Sequence, residues 1–274
     1  MSNSPSKGTA LVTGASRGIG AGYADRLAKR GYDLILVGRS EAPLKALAAS
    51  LARASGRHIT AIVADLNNKI DLAKVETKLR EDLSITMLVN NAGTASVAPL
   101  LDADIEKMEG MIALNSIALT RLTYAAAPAF VKRGTGTIIN IGSVVGISPE
   151  TLNGVYGATK AYVLAFSHSL HHELADKGIR VQAVLPGATA TDMWEIAGLP
   201  WQKLPPSTVM SVEDMVDAAL VGLDQGELVT IPGLHDGDEW TRFEAARRAI
   251  SRRFGSSVPA PATGTRREGR HNWL

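Results

Sequence analysis

The stretch TALVTGASRGIGAGYADRLAKRG, residues 9–31, decides how the rest of the chain is read. TALVTG is a short run of the kind that forms a strand, and AGYADRLAKRG predicts a helix of about three turns that stops at Gly31. Between them TGASRGIG (13–20) sets glycines at 14, 18 and 20. In a strand, turn and helix unit such glycines let the backbone turn tightly, approach a pyrophosphate and pack helix on strand, while the helix N-terminus faces the anion. A glycine-rich fragment alone is weak evidence, since any turn can hold glycine; here the flanking context that the motif requires is present.

Outward from this unit the chain alternates. The runs DLILVG (33–38), ITAIVAD (59–65), TMLVNNAG (86–93), TIINIGS (137–143), IRVQAVLP (179–186) and ELVTIP (227–232) are short, rich in Val and Ile, and continuously apolar. Continuous runs suit strands buried on both faces, hence a parallel sheet. Between them lie helical patterns such as EAPLKALAASLARASG, with Leu44, Leu47 and Leu51 on one face and Gly56 at its stop, and one long helix from about Ile105 to Arg133. Seven strands interleaved with helices predict a Rossmann-like, doubly wound α/β fold whose binding sites lie at the carboxyl ends of the strands.

Composition bounds the rest. With 274 residues, 45% of them hydrophobic, the chain suits one large core, read here as a single domain over 1–254. The absence of cysteine removes disulfides and thiolate chemistry, and the N-terminus lacks the apolar run of a signal peptide or membrane span. A cytoplasmic protein is expected. Residues 242–274 hold eight arginines against Glu244 and Glu268, a balance of +6, which leaves −4 on the remainder. A body with that balance is not a nucleic-acid surface, and 255–274 reads as a flexible basic tail.

The segment NGVYGATKAY (153–162) carries Tyr156 and Lys160, which four helical residues would bring to one face. Alone, the pair equally describes a packed ring beside a solvated ammonium. A free phenol has a pKa of about 10, and an ammonium one turn away is expected to pull it toward neutrality. His168, His171 and His172 share the same helix but lack a further ligand, so they read as surface histidines and no metal site is expected.

Taken together, TGASRGIG, NNAG at 90–93, Asn115, Ser143, Tyr156 with Lys160, and Pro186-Gly187 with Thr191 resemble the classical short-chain dehydrogenases/reductases, in order and spacing, over about residues 8–232. The resemblance implies interconversion of a carbonyl and an alcohol by hydride transfer, with Tyr156 as general acid/base, Lys160 also on the nicotinamide ribose, Ser143 on the substrate oxygen and Asn115 holding a water in a proton relay. It implies cofactor contacts from Gly14, Ser16, Arg17, Gly18, Ile19 and Gly20 in the turn, from Arg39 and Ser40 after the second strand, and from Asp65 and Leu66 after the third. Asn91, Ala92 and Gly93 would follow the fourth strand, and Pro186, Gly187, Thr189 and Thr191 the sixth. Gly38 and Arg39 stand where an NAD enzyme carries an acidic residue, and with Arg17 they favour NADP(H) over NAD(H).

The substrate is expected to be a small carbonyl compound or alcohol, apolar if the loop 192–211, with Trp194, Ile196, Leu199 and Trp201, covers it. The same residues also suit a loop packed on its own domain. The other wall is expected from Ala95–Val97 and Val145–Pro149. A homodimer or homotetramer follows from the resemblance, and a catalytically silent NADP(H)-binding sensor or scaffold is the alternative. Gly142 departs from the family, where a second serine is common.

Overall fold

Thr9–Thr13 (β1) is buried along its whole length because its two faces feed two different cores. Ala10 and Val12 join one cluster, with Tyr23, Leu27 and Leu44, whereas Leu11 joins another, with Val75, Leu88 and Phe130. A strand apolar on both faces has no place for the polar alternation of a half-exposed sheet, which is why the run is continuous. The structure, a computed structural model, describes residues 6–252, 254 and 255. They fall into two compact units divided between Gly233 and Leu234.

In the first unit β1 is followed by α1 (Gly18–Lys29), β2 (Asp33–Gly38), α2 (Glu41–Ser55), β3 (Ile59–Val63), α3 (Lys69–Glu81) and β4 (Ile85–Asn90). Then come α4 (Ile105–Ile112), a π-helical turn (Ala113–Ala118), α5 (Leu119–Arg133), β5 (Gly136–Ile141), α6 (Gly154–Leu174) and β6 (Ile179–Val184). The chain continues through β7 (Ala188–Thr189), α7 (Met193–Ala197), β8 (Val209–Met210), α8 (Val212–Asp224) and β9 (Val229–Thr230). Seven strands form one parallel sheet in the order β3-β2-β1-β4-β5-β6-β9. This is the doubly wound α/β fold read from the sequence, and the strand order reverses between β1 and β4.

Two expectations are refined. The last strand pairs only through Val229 and Thr230, and the long helix is broken by the π turn at 113–118. Its wider backbone ring falls where Asn115 sits, a pattern common beside functional sites. Buried amides also fix the centre: Asn90 Nδ2 donates to Asn140 Oδ1 at 2.9 Å and to Thr123 Oγ1 at 3.0 Å, and Asn140 Nδ2 donates to Ser167 Oγ at 3.0 Å. These bonds cross-link β4, β5, α5 and α6 at the level of the strands' carboxyl ends.

The second unit contains α9 (Gly237–Ser251). Asp236 caps it, Trp240 and Phe243 stack with centroids 5.2 Å apart, and Glu244 pairs with Arg247 at 2.8 Å. The tail read from the sequence lies, beyond Gly255, outside the described residues.

Candidate active site

The glycine turn is held to β4 by one threonine. Thr13 Oγ1 donates to Val89 O at 3.2 Å and accepts from the amides of Asn91 and Ala92, both at 3.0 Å. In return Asn91 Nδ2 donates to the carbonyls of Thr13 and Gly14, at 2.9 and 3.2 Å. The ends of β1 and β4 are thus fixed relative to each other at the point where strand order reverses. Gly14 turns there at φ +63°, and a Cβ on it would lie 2.9 Å from the Ala92 Cα. Gly18 opens α1 at φ +54°, and Gly20 packs against the Gly14 carbonyl, where a side chain would overlap it.

This turn lines a cleft with Ser16, Arg17, Ile19, Gly38, Arg39, Ser40, Leu66, Asn91, Ala92, Gly93 and Thr191. Most of the cofactor residues expected from sequence therefore meet in one space. Of the rest, Tyr156, Lys160, Pro186, Gly187 and Thr189 line an adjoining space, and Gly20 and Asp65 line neither. Gly20 lies behind the turn, and Asp65, between the lining residues Ala64 and Leu66, uses Oδ1 to accept the Asn67 amide at 3.0 Å. Arg17 pairs with Asp192 at 3.3 Å, while Arg39 has no acidic partner among the described residues.

A second space, about 300 Å³, adjoins the cleft through Ile19, Asn91, Gly93, Thr191 and Met193. Ser143, Tyr156 and Lys160 line it, together with Pro186, Gly187 and Thr189. Ser143 caps a short 3-10 turn, Val144–Gly146, accepting the Val145 amide at 3.2 Å, and its hydroxyl donates to Pro186 O at 3.4 Å. Tyr156 and Lys160 lie one turn apart on α6, whose start is fixed by Asn153: its Oδ1 accepts from the amides of Val155 and Tyr156. Asn153 was not singled out from the sequence, although an asparagine just before a helical run is the N-cap signal that could have found it.

Lys160 Nζ donates to Ile141 O at 2.9 Å and stands 5.7 Å from the centre of the Tyr156 ring. Burial pushes the Tyr156 phenol up to about 12, with the Ser143 hydroxyl pulling the other way. Burial likewise lowers Lys160 to about 8. The expected depression of the phenol by the ammonium is thus corrected for this state. Both side chains are under 10% exposed, so loss of solvent outweighs the pairing, and the ammonium is engaged by a backbone carbonyl.

Asn115, 2% exposed, sits behind these residues. Its Oδ1 accepts the Thr94 amide at 2.9 Å, and its Nδ2 donates to Thr94 O and to Thr159 Oγ1. It therefore ties the segment after β4 to α6, and neither Thr94 nor Thr159 was singled out from the sequence. Gly142 has a physical reason to lack a side chain: a Cβ would lie 2.6 Å from Leu185 Cδ2.

The segment after β6 covers the second space. Met193, Trp194, Ala197, Leu199, Leu204 and Thr208 line it, facing Ala95, Val97, Val145, Thr151 and Leu152. Of the residues expected in the cover, Trp194 and Leu199 are there, Ile196 lines the first cleft, and Trp201 lines neither. Pro149, expected in the opposite wall, instead packs on Gly157. The cover is pinned at its ends by the parallel pairing of β7 with β8, and in its middle by the Val97 amide donating to Ala197 O at 3.1 Å. Lys160 is the one cation among the residues lining the space, and none of them is acidic.

The residues present fit a dinucleotide. The cleft at the strand switch is lined by Gly14 and Gly18, which a side chain would drive against Ala92 and Thr191, and Thr191 Oγ1, buried where the two spaces meet, has no hydrogen-bond partner among the described residues. Fold and site define a doubly wound α/β protein of the dinucleotide-binding kind. The short chain dehydrogenase family model matches residues 8–198, and the chain belongs to that family.

The chain is similar to a short-chain dehydrogenase from Sphingobium yanoikuyae solved in complex with NADPH, at 50% identity and a TM-score of 0.90, covering 92% of this chain and 98% of that one. It is also similar to the bulky-bulky ketone specific alcohol dehydrogenase from Comamonas testosteroni, at 45% identity and a TM-score of 0.85, covering 92% and 97%. Very-long-chain 3-oxoacyl-CoA reductase from Bos taurus is 34% identical over 203 residues, 73% of this chain and 65% of the bovine protein. The match thus spans just under two thirds of that relative.

Proposed function

We propose that the protein is an NADP(H)-dependent oxidoreductase that interconverts ketones carrying apolar groups on both sides with their secondary alcohols. One observation carries the reading: Tyr156 and Ser143 line a largely apolar cavity, with Lys160 as its one charged lining residue, that opens directly onto the glycine-rich cleft. When bound, the dinucleotide supplies or takes up the hydride. Arg17 and Arg39 would meet the 2′-phosphate, since guanidinium and phosphate form strong forked contacts and no carboxylate stands at position 38 or 39, at the end of β2. Thr191 would use its unmet hydroxyl toward the nicotinamide end.

The Tyr156 phenol, held near 12, stays protonated at neutral pH and donates its proton to the carbonyl oxygen as charge develops there. Ser143 can turn its hydroxyl from the weak 3.4 Å contact with Pro186 O to the same oxygen. Lys160 stands close enough to stabilise the phenolate left behind, and Asn115 keeps α6 and the 94 segment in place around both. In the reverse direction Tyr156 must first lose its proton, so alcohol oxidation should rise more steeply with pH than ketone reduction.

The relatives' names divide between acyl-CoA and ketone substrates, and the cavity supports the second. Its walls, from Ala95, Val97, Leu152, Trp194, Leu199 and Leu204, offer apolar surface in the same space as Tyr156. A cytoplasmic homo-oligomer remains part of the proposal, its association supported by exposed Ile117 in the π turn and exposed Tyr124 on α5.

The test is NADPH and NADH oxidation over a panel of diaryl, aryl-alkyl and short ketones and a 3-oxoacyl-CoA. Turnover with NADPH, highest on ketones with two bulky apolar groups, is expected, and Arg39→Ala should narrow the preference for NADPH about tenfold or more, as loss of a charge-assisted contact implies. Equal use of NADH, or preference for the CoA thioester, would overturn the corresponding half of the proposal.

A further inference from the structure

Three charged side chains line the first cleft: Arg17, Arg39 and Asp192. The carboxylate is the unexpected one, because a negative charge in a cleft built for a phosphorylated cofactor opposes its ligand. Asp192 occupies the N-cap position of α7, where an aspartate ordinarily accepts a backbone amide of the first turn, yet it makes no such bond. Its Oδ2 instead accepts from Arg17 Nη1 at 3.3 Å. Arg17 itself is the N-cap residue of α1, so the pair spans from the glycine turn to the start of the cavity cover. The spacing is enforced by packing: a Cβ on Gly18 would lie 3.2 Å from Thr191 Cγ2, so the two segments already touch beside the pair.

We propose that Asp192 is a selectivity-determining residue that competes with the cofactor's 2′-phosphate for Arg17, and so reduces the preference for NADP(H) over NAD(H). The inference rests on the proposed NADP(H) reading. Arg39 can take a phosphate without giving anything up, whereas Arg17 must first leave Asp192. Both partners are more than half exposed, at 54% and 61%, so the pair is weak and yields to a doubly charged phosphate in a forked contact. A cofactor without the 2′-phosphate leaves the pair in place, so Asp192 acts on it only through the pyrophosphate that both cofactors share, a contribution that cancels in their ratio. The nearby carboxylates of Asp25 and Glu213 lie on the neighbouring surface and not in the cleft wall, so neither takes over this competition.

The measurement is the dissociation constant of full-length protein for NADPH, NADH and adenosine 2′,5′-bisphosphate, by calorimetry, in wild type, Asp192→Asn, Arg17→Ala and the double variant. Asp192→Asn should tighten NADPH and the bisphosphate about two- to fivefold relative to NADH, the range of one exposed ion pair. Asp192→Glu, which restores the carboxylate, should return the wild-type ratio, and the amide should have no effect once Arg17 is absent. Asp192→Ser, equally neutral, repeats the comparison should the amide disturb the loop. A ratio that stays fixed or falls, or a gain that persists without Arg17, would overturn the inference. If wild type bound NADH as tightly as NADPH, the NADP(H) reading itself would have failed; a retained preference with an unmoved ratio would sink only the role of Asp192.

Discussion

Tyr156 and Lys160 are both buried, and burial favours the neutral form of each, raising the phenol and lowering the ammonium. A stability signature follows for the lysine. In the unfolded chain it holds its proton up to about 10.5, and in the folded one it releases it near 8. Between those values the unfolded state binds more protons, so stability rises with pH; below about 8 the cost of the buried ammonium is present in full. The stability of wild type relative to Lys160→Met, from urea unfolding, should therefore increase from pH 8 to 10.5, the Tyr156 contribution cancelling in the difference. A flat difference would mean that the ammonium is solvated in a way the fold does not show. At this scale the order of the motifs in the chain named Ser143, Tyr156 and Lys160, which the fold brings to one cavity, but the effect of Lys160 on Tyr156 was not legible. Spacing places two groups on one face and says nothing of how much water reaches them, or that Ile141 O stands within reach of the ammonium.

The element that does most to shape the cleft is the turn between β1 and α1. Gly14 sits in the left-handed region, where a side chain costs about 1–2 kcal/mol, and the overlap with the Ala92 backbone adds to that. Gly14→Ala should lower stability by at least this amount in urea unfolding and weaken dinucleotide binding more than tenfold; a variant with wild-type stability and affinity would contradict the turn's assigned role. The strands were legible because burial on both faces writes a continuous Val and Ile run. The π turn was not, since LNSIALT continues the helical pattern of its neighbours and the extra backbone residue has no signature in side-chain type. The cover over the second cavity was legible as an apolar segment, but not as one pinned by β7 and β8. Two-residue strands are set by partners some twenty positions away rather than by their own residues.

For the whole first unit, the order β3-β2-β1-β4-β5-β6-β9 puts the cleft at the reversal beside β1 and β4, and the tyrosine, serine and lysine beyond the ends of β5 and β6. That arrangement follows from right-handed crossovers once seven parallel strands are granted, and it is why ordered motifs scattered over about two hundred residues converge on one site. If this convergence is catalytic, the reaction must depend on the Tyr156 hydroxyl. The most direct test is NADPH-dependent reduction of a ketone with two apolar groups by wild type and by Tyr156→Phe, with the NADPH dissociation constant of each. The account predicts turnover in wild type, a loss of at least about a thousandfold in the variant, of the order that removing a positioned proton donor brings, and cofactor affinity within about twofold. Turnover retained by Tyr156→Phe would contradict it.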